Sequence, residues 1–233
     1  MHIQTAKRGQ IIKPLKINKM KKHVILLAAA AFMMVAIIPN AAKAQDPFKN
    51  LTKDDVVCTF KVPDIVDFVT TFLSNTEDEL NGGVAAEWTK YLKNEKQGKG
   101  VTFTVDKKNG YVRYEMDYDV AYPEDKSGDK TCVEYCYWNC ADGLHKLFAE
   151  NVVMTQKGKP IFTEFSGMYI YVYDNATQKL YWIDQSLLGL GEETHGEITF
   201  SLPRTGKDIE MIMDDGSKKT LAWNGKGFTL KDK

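Results

Sequence analysis

The sequence predicts an α+β fold, mostly β: an antiparallel meander sheet or partial barrel, with one or two short helices near the start of the mature chain. Three observations carry that prediction. Apolar residues recur at helical spacing only between Asp64 and Leu92. From Val101 onward the apolar period becomes two, the repeat of a half-buried strand. Short polar turns join successive runs, and strands linked by tight turns pair antiparallel rather than through helical crossovers.

The elements follow in order. Val56, Cys58, Phe60 and Val62 alternate, which predicts a strand over Val56 to Val62, ended by Pro63. Ile65, Phe68, Val69 and Phe72 then mark one face of a helix over Asp64 to Asn75. Thr76 with Glu79 has the spacing of a capping box, and Val84, Trp88, Tyr91 and Leu92 mark a second helical face. Val101, Phe103 and Val105 alternate up to Lys107-Lys108-Asn109-Gly110, and Val112, Tyr114, Met116 and Tyr118 alternate back. Asn-Gly between two such runs is a strong hairpin signal. Further turns are expected at Asn139 to Gly143, Asp174 to Gln178, Asp214 to Ser217 and Asn224 to Gly227.

Ahead of this domain lies an expected export signal. Met20, Lys21, Lys22 and His23 make a basic start, and Val24 to Ile38 form an apolar run of fifteen residues. Pro39-Asn40 breaks that run, and Ala42-Lys43-Ala44 supplies a small-x-small cleavage site. The run is shorter than the roughly 20 residues needed to span a bilayer. Cleavage after Ala44 is therefore expected, leaving no stable membrane span, and the spacing favours Met20 over Met1 as the start. The residue directly after the cut is Gln45 and not a cysteine, so a lipid anchor is not indicated. Residues 1–44 form the export region and 45–233 a single β-rich domain, long enough to bury a core.

Residues 1–44 contain eight of the 31 basic residues and no acidic one, so the chain from Gln45 carries 23 basic against 31 acidic residues, net −8. Such a field repels phosphate backbones, and nucleic acid is not an expected partner. No nucleophile elbow, phosphate-binding loop or dinucleotide glycine signature occurs.

Four groups of residues invite a chemical reading. Cys58, Cys132, Cys136 and Cys140 are candidates for disulfides in an exported chain. Residues four apart on a strand lie roughly 13 Å apart, whereas a bridge spans at most about 7 Å. The trio therefore cannot bridge internally without a bend, and Cys58 is the natural partner for one member. Glu193, His195 and Glu197 fall at alternate positions, a nitrogen and two carboxylates able to hold a divalent metal if they project together. A polar loop among Gly189, Gly191 and Gly196 is the other reading. Glu115, Asp117 and Asp119 form a carboxylate row, either a solvated strand face or a group able to chelate calcium or serve acid/base catalysis. Tyr169, Tyr171 and Tyr173 share one strand face and Met168, Ile170 and Val172 the other, as in a sheet covered on both sides. The tyrosines either pack in the core or line a ligand surface.

Cys136-Tyr137-Trp138-Asn139-Cys140-Ala141-Asp142-Gly143, together with Trp223-Asn224-Gly225-Lys226-Gly227-Phe228, resembles uncharacterised exported β-rich proteins of Gram-negative bacteria. The resemblance covers about the last hundred residues. It implies a periplasmic or secreted address and assigns no residue a role. The expected function is a non-catalytic binding module for a small molecule, lipid or envelope component, without a cofactor. A lipid carrier and a carboxylate hydrolase are the alternatives.

Overall fold

The computed structural model describes residues 46–61, 64–76, 88, 91–92, 98–124, 126–163, 166–191, 198–213 and 215–231. Pro63 and Glu79, named above, lie outside them.

Two antiparallel sheets dominate. The larger has eight strands: β1 (Val56–Thr59), β2 (Val101–Asp106), β3 (Tyr111–Asp117), β4 (Asp129–Asn139), β5 (His145–Gln156), β6 (Lys159–Ile161), β7 (Gly167–Asp174) and β8 (Lys179–Trp182). Its order is β1-β8-β7-β5-β4-β3-β2, with β6 paired to the end of β5. From β2 to β8 this is the expected meander. The smaller sheet is a second meander, β9 (Thr199–Ser201), β10 (Ile209–Ile212), β11 (Lys218–Trp223) and β12 (Phe228–Lys231), in the order β12-β11-β10-β9. The strands do not close into a barrel.

The large sheet is covered on both faces. One core lies against the small sheet, where Leu147, Ile170 and Val172 meet Ile209, Met211, Leu221 and Phe228. The other lies under helix α1 (Ile65–Thr76), where Phe68, Val69 and Phe72 pack with Tyr135, Phe148 and Tyr173. Ile65, Phe68 and Val69 are fully buried and Phe72 nearly so, the spacing of one helical face. Each contributes about 1.5–3 kcal/mol by leaving water. Asp64 caps the helix, its Oδ1 accepting from the backbone of Val66 at 2.9 Å and Asp67 at 3.2 Å. Trp88, Tyr91 and Leu92 are helical, in agreement with the second periodic segment.

Two boundaries differ from expectation. The first strand stops at Thr59, and Phe60 instead turns its ring onto Phe68 and Tyr173 at 5.0 and 5.1 Å. Tyr118 leaves β3, because the Asp117 carboxylate accepts from the Val120 amide and starts a helical turn over Tyr118–Ala121. Two glycines let the segment after β8 press on the last hairpin: a Cβ on Gly189 would stand 2.1 Å from the Phe228 carbonyl oxygen, and one on Gly227 2.5 Å from that of Leu188.

Candidate functional site

Strand register decides which side chains share a surface, since directly opposed residues of an antiparallel pair project to the same face. On the α1 side of the large sheet, Trp182 stands opposite Tyr171 and Tyr171 opposite Phe148. In the adjoining row, Tyr169 stands opposite Glu150 and Glu150 opposite Tyr135. Helix α1 covers the middle of this face. Phe68 stacks on Phe148 at 5.0 Å, and Phe72 reaches Phe148 at 5.4 Å and Tyr171 at 5.1 Å. Trp88 covers Tyr114 and Phe103.

At the β7–β8 margin the cover thins. Tyr169, Tyr171 and Glu150 are half-buried and Trp182 is 41% exposed. The Tyr135 hydroxyl donates to Glu150 Oε1 at 2.8 Å, which orients the carboxylate within the aromatic row. Burial first, and the Glu150 charge second, push the Tyr169 and Tyr171 phenols above the ordinary tyrosine range. Both therefore remain neutral hydroxyl groups, able to donate or accept. The margin presents flat apolar rings, phenolic hydroxyls and one carboxylate side by side. Tyr173 is set deeper: it is fully buried, and its hydroxyl donates to the Phe60 carbonyl at 2.8 Å.

The opposite face of the sheet holds a polar seam that sequence reasoning missed. Arg113, Glu134 and Asn151 stand in one register row across β3, β4 and β5. Glu134 is 2% exposed and accepts from four donors: Tyr111 Oη at 2.7 Å, Arg113 Nη1 at 3.0 Å, Asn151 Nδ2 at 2.9 Å and the Leu202 amide at 3.0 Å. Asn151 Nδ2 also donates to the Phe200 carbonyl, so the seam ties the large sheet to β9 and the residues after it. Asn151 Oδ1 is buried without a hydrogen-bond partner among the described residues. The available signal was a Glu and an Asn in the middle of otherwise apolar strands, which demand partners when buried.

A third grouping surrounds His145. Its Nδ1 lies 2.7 Å from Asp142 Oδ2 and its ring stacks on Phe48 at 4.4 Å. Burial works against the Asp142 charge, but His145 and two backbone amides outweigh it and hold the carboxyl below its usual range. The arrangement closes the β4–β5 turn, with both His145 and Leu144 amides on Asp142 Oδ1.

The remaining candidates separate. Cys58, Cys132, Cys136 and Cys140 are all free thiols, which corrects the expected bridge. Cys58 lies in the core beneath α1, whereas Cys136 and Cys140 lie in the core beneath the small sheet, so the backbone of the large sheet stands between them. Burial pushes Cys58 up to about 11, Cys132 and Cys140 up to about 12, and Cys136 well above its usual range. Thiols so protonated are poor nucleophiles near neutral pH. Glu193, His195 and Glu197 lie outside the described residues. Among those described, no group of three or more His, Cys, Asp or Glu is placed to hold a metal ion. The carboxylate row is engaged elsewhere: Glu115 pairs with Arg113 at 2.9 Å, Asp117 with Lys130 at 2.8 Å, and Asp119 accepts from the Gly128 amide at 3.0 Å.

Comparison with protein families, characterised proteins and solved structures finds no match. Among the described residues, no helix is long and apolar enough to cross a membrane.

Proposed function

We propose that the protein is a non-catalytic binding module, exported to the periplasm or beyond after cleavage behind Ala44, and that it takes its ligand on the aromatic margin of Trp182, Tyr171 and Tyr169. The observation that carries this reading is the exposure of Trp182. It is a large ring, 41% exposed, aligned in register with Tyr171 on a face whose middle is covered by α1. Indole and phenol rings combine apolar area with hydrogen-bonding tips and lose few rotamers when they bind, which is why such residues recur at recognition surfaces. Tyr173 supports the surface from beneath, because its hydroxyl anchors the chain after β1 to β7.

The test is titration of the neutral dye Nile red. Saturable binding to the wild-type protein, weakened at least severalfold in Trp182→Ala with the thermal unfolding transition retained, supports the reading. Absence of binding, or binding untouched by both Trp182→Ala and Tyr169→Ala, overturns it.

A further inference from the structure

We infer that the aromatic margin of Trp182, Tyr171 and Tyr169 takes a neutral oligosaccharide, its C–H face on the rings and its hydroxyls against the ring tips; this rests on the binding-surface reading above. Register fixes the platform. Trp182 and Tyr171 stand opposite one another on strands about 5 Å apart, and Tyr169 lies two residues along the same strand face, about 7 Å from Tyr171. Each ring carries a polar tip. Neither phenol oxygen nor the Trp182 indole N–H has a hydrogen-bond partner among the described residues. Among those residues Asn151 Oδ1 is the one buried side-chain polar atom without a partner, so the phenol tips reach solvent. Burial lifts both phenols above the ordinary tyrosine range, so each keeps its proton and can donate as well as accept.

Two requirements select the ligand class. The rings favour flat apolar area, which leaves water together with them on stacking. The tips require donors and acceptors around that area, because a polar group covered without a partner weakens the complex. An acyl chain or a sterol skeleton meets the first requirement and strands the tips. A nucleotide or an acidic polysaccharide meets both, but brings negative groups to a chain of net −8 from Gln45 onward. A neutral pyranose ring has C–H groups on its face, hydroxyls around its rim and no charge. Trp182 is 41% exposed at the edge of the platform, so a chain of several sugars can extend past it.

The experiment titrates the whole mature chain calorimetrically with cellohexaose and with maltohexaose, with and without Nile red. The inference predicts saturable binding of at least one hexasaccharide, competition with Nile red, indifference to added salt, and loss in Trp182→Ala. Tyr169→Phe and Tyr171→Phe keep the rings and remove only the hydroxyls. At least one of them should weaken the saccharide about two- to tenfold while Nile red affinity is unchanged. These two variants keep the test decisive if Trp182→Ala does not fold. Nile red binding with neither hexasaccharide bound overturns the inference alone. Saccharide binding unchanged in a folded Trp182→Ala, or in both phenylalanine variants, does the same. Failure of Nile red itself to bind overturns the parent reading.

Discussion

Glu134 shows how one buried carboxylate organises two sheets. Its oxygens satisfy a phenol, a guanidinium, a side-chain amide and the Leu202 backbone amide, all at 3.0 Å or less. Removing it leaves the Tyr111 hydroxyl and the Leu202 amide without that acceptor in the interior, where unsatisfied groups cost about 1–3 kcal/mol each, while the 36% exposed Arg113 keeps Glu115 and Asn151 keeps the Phe200 carbonyl. Glu134→Ala is therefore predicted to lower unfolding stability by about 3 kcal/mol or more in urea denaturation. Glu115→Ala removes an exposed partner of the same arginine, whose side chains are 36% and 46% exposed, and should cost under about 1 kcal/mol. Equal losses would show that the seam does not hold the sheets together. At this scale the sequence was only partly legible. Alternation marked Tyr169, Tyr171 and Tyr173 as one face, but which of them is reachable depends on where α1 ends. Glu134 and Asn151 had no spacing signal because their partners come from distant strands.

The elements were the most legible level. Helix α1 follows from four apolar residues at one spacing, and the β2–β3 hairpin from Asn109-Gly110, where Gly110 takes the positive φ of 65° that the turn requires. Cysteine pairing was not legible, because period-two alternation shows that residues share a face without showing which. With Cys58 on one face of the large sheet and Cys136 and Cys140 on the other, titration of denatured, unreduced protein should find four free thiols; two would restore a bridge. The same thiols give a pH dependence. Burial raises Cys58 to about 11 and Cys132 and Cys140 to about 12, from an ordinary 9.0. Between those values the folded state keeps protons that the unfolded chain releases, so stability falls as pH rises. The contribution is whole below about pH 9 and is lost through about pH 12. The urea midpoint should accordingly be level from neutral pH to about 9 and then decline. A midpoint that rises above pH 9 would contradict the burial of these thiols.

For the whole molecule, the sequence signals told of hairpins and not of sheets. A turn such as Asn224 to Gly227 specifies that β11 pairs with β12, yet says nothing of whether that pair extends the large sheet or stacks upon it. The place of β1 beside β8 was equally hidden, being a pairing between the two ends of the large sheet's sequence. The layered outcome is what leaves one aromatic margin open: the small sheet closes one face, α1 closes most of the other, and Trp182 stands where the helix cover thins. Trp182 is the most exposed of the four tryptophans, Trp138 being 3% exposed and Trp88 and Trp223 half-buried. The most direct test is acrylamide quenching of Trp182→Phe against the wild-type protein. Removal of the accessible indole should shift the emission to the blue and reduce the quenchable fraction. Unchanged emission and quenching would mean that Trp182 is covered and that the proposed binding face does not exist.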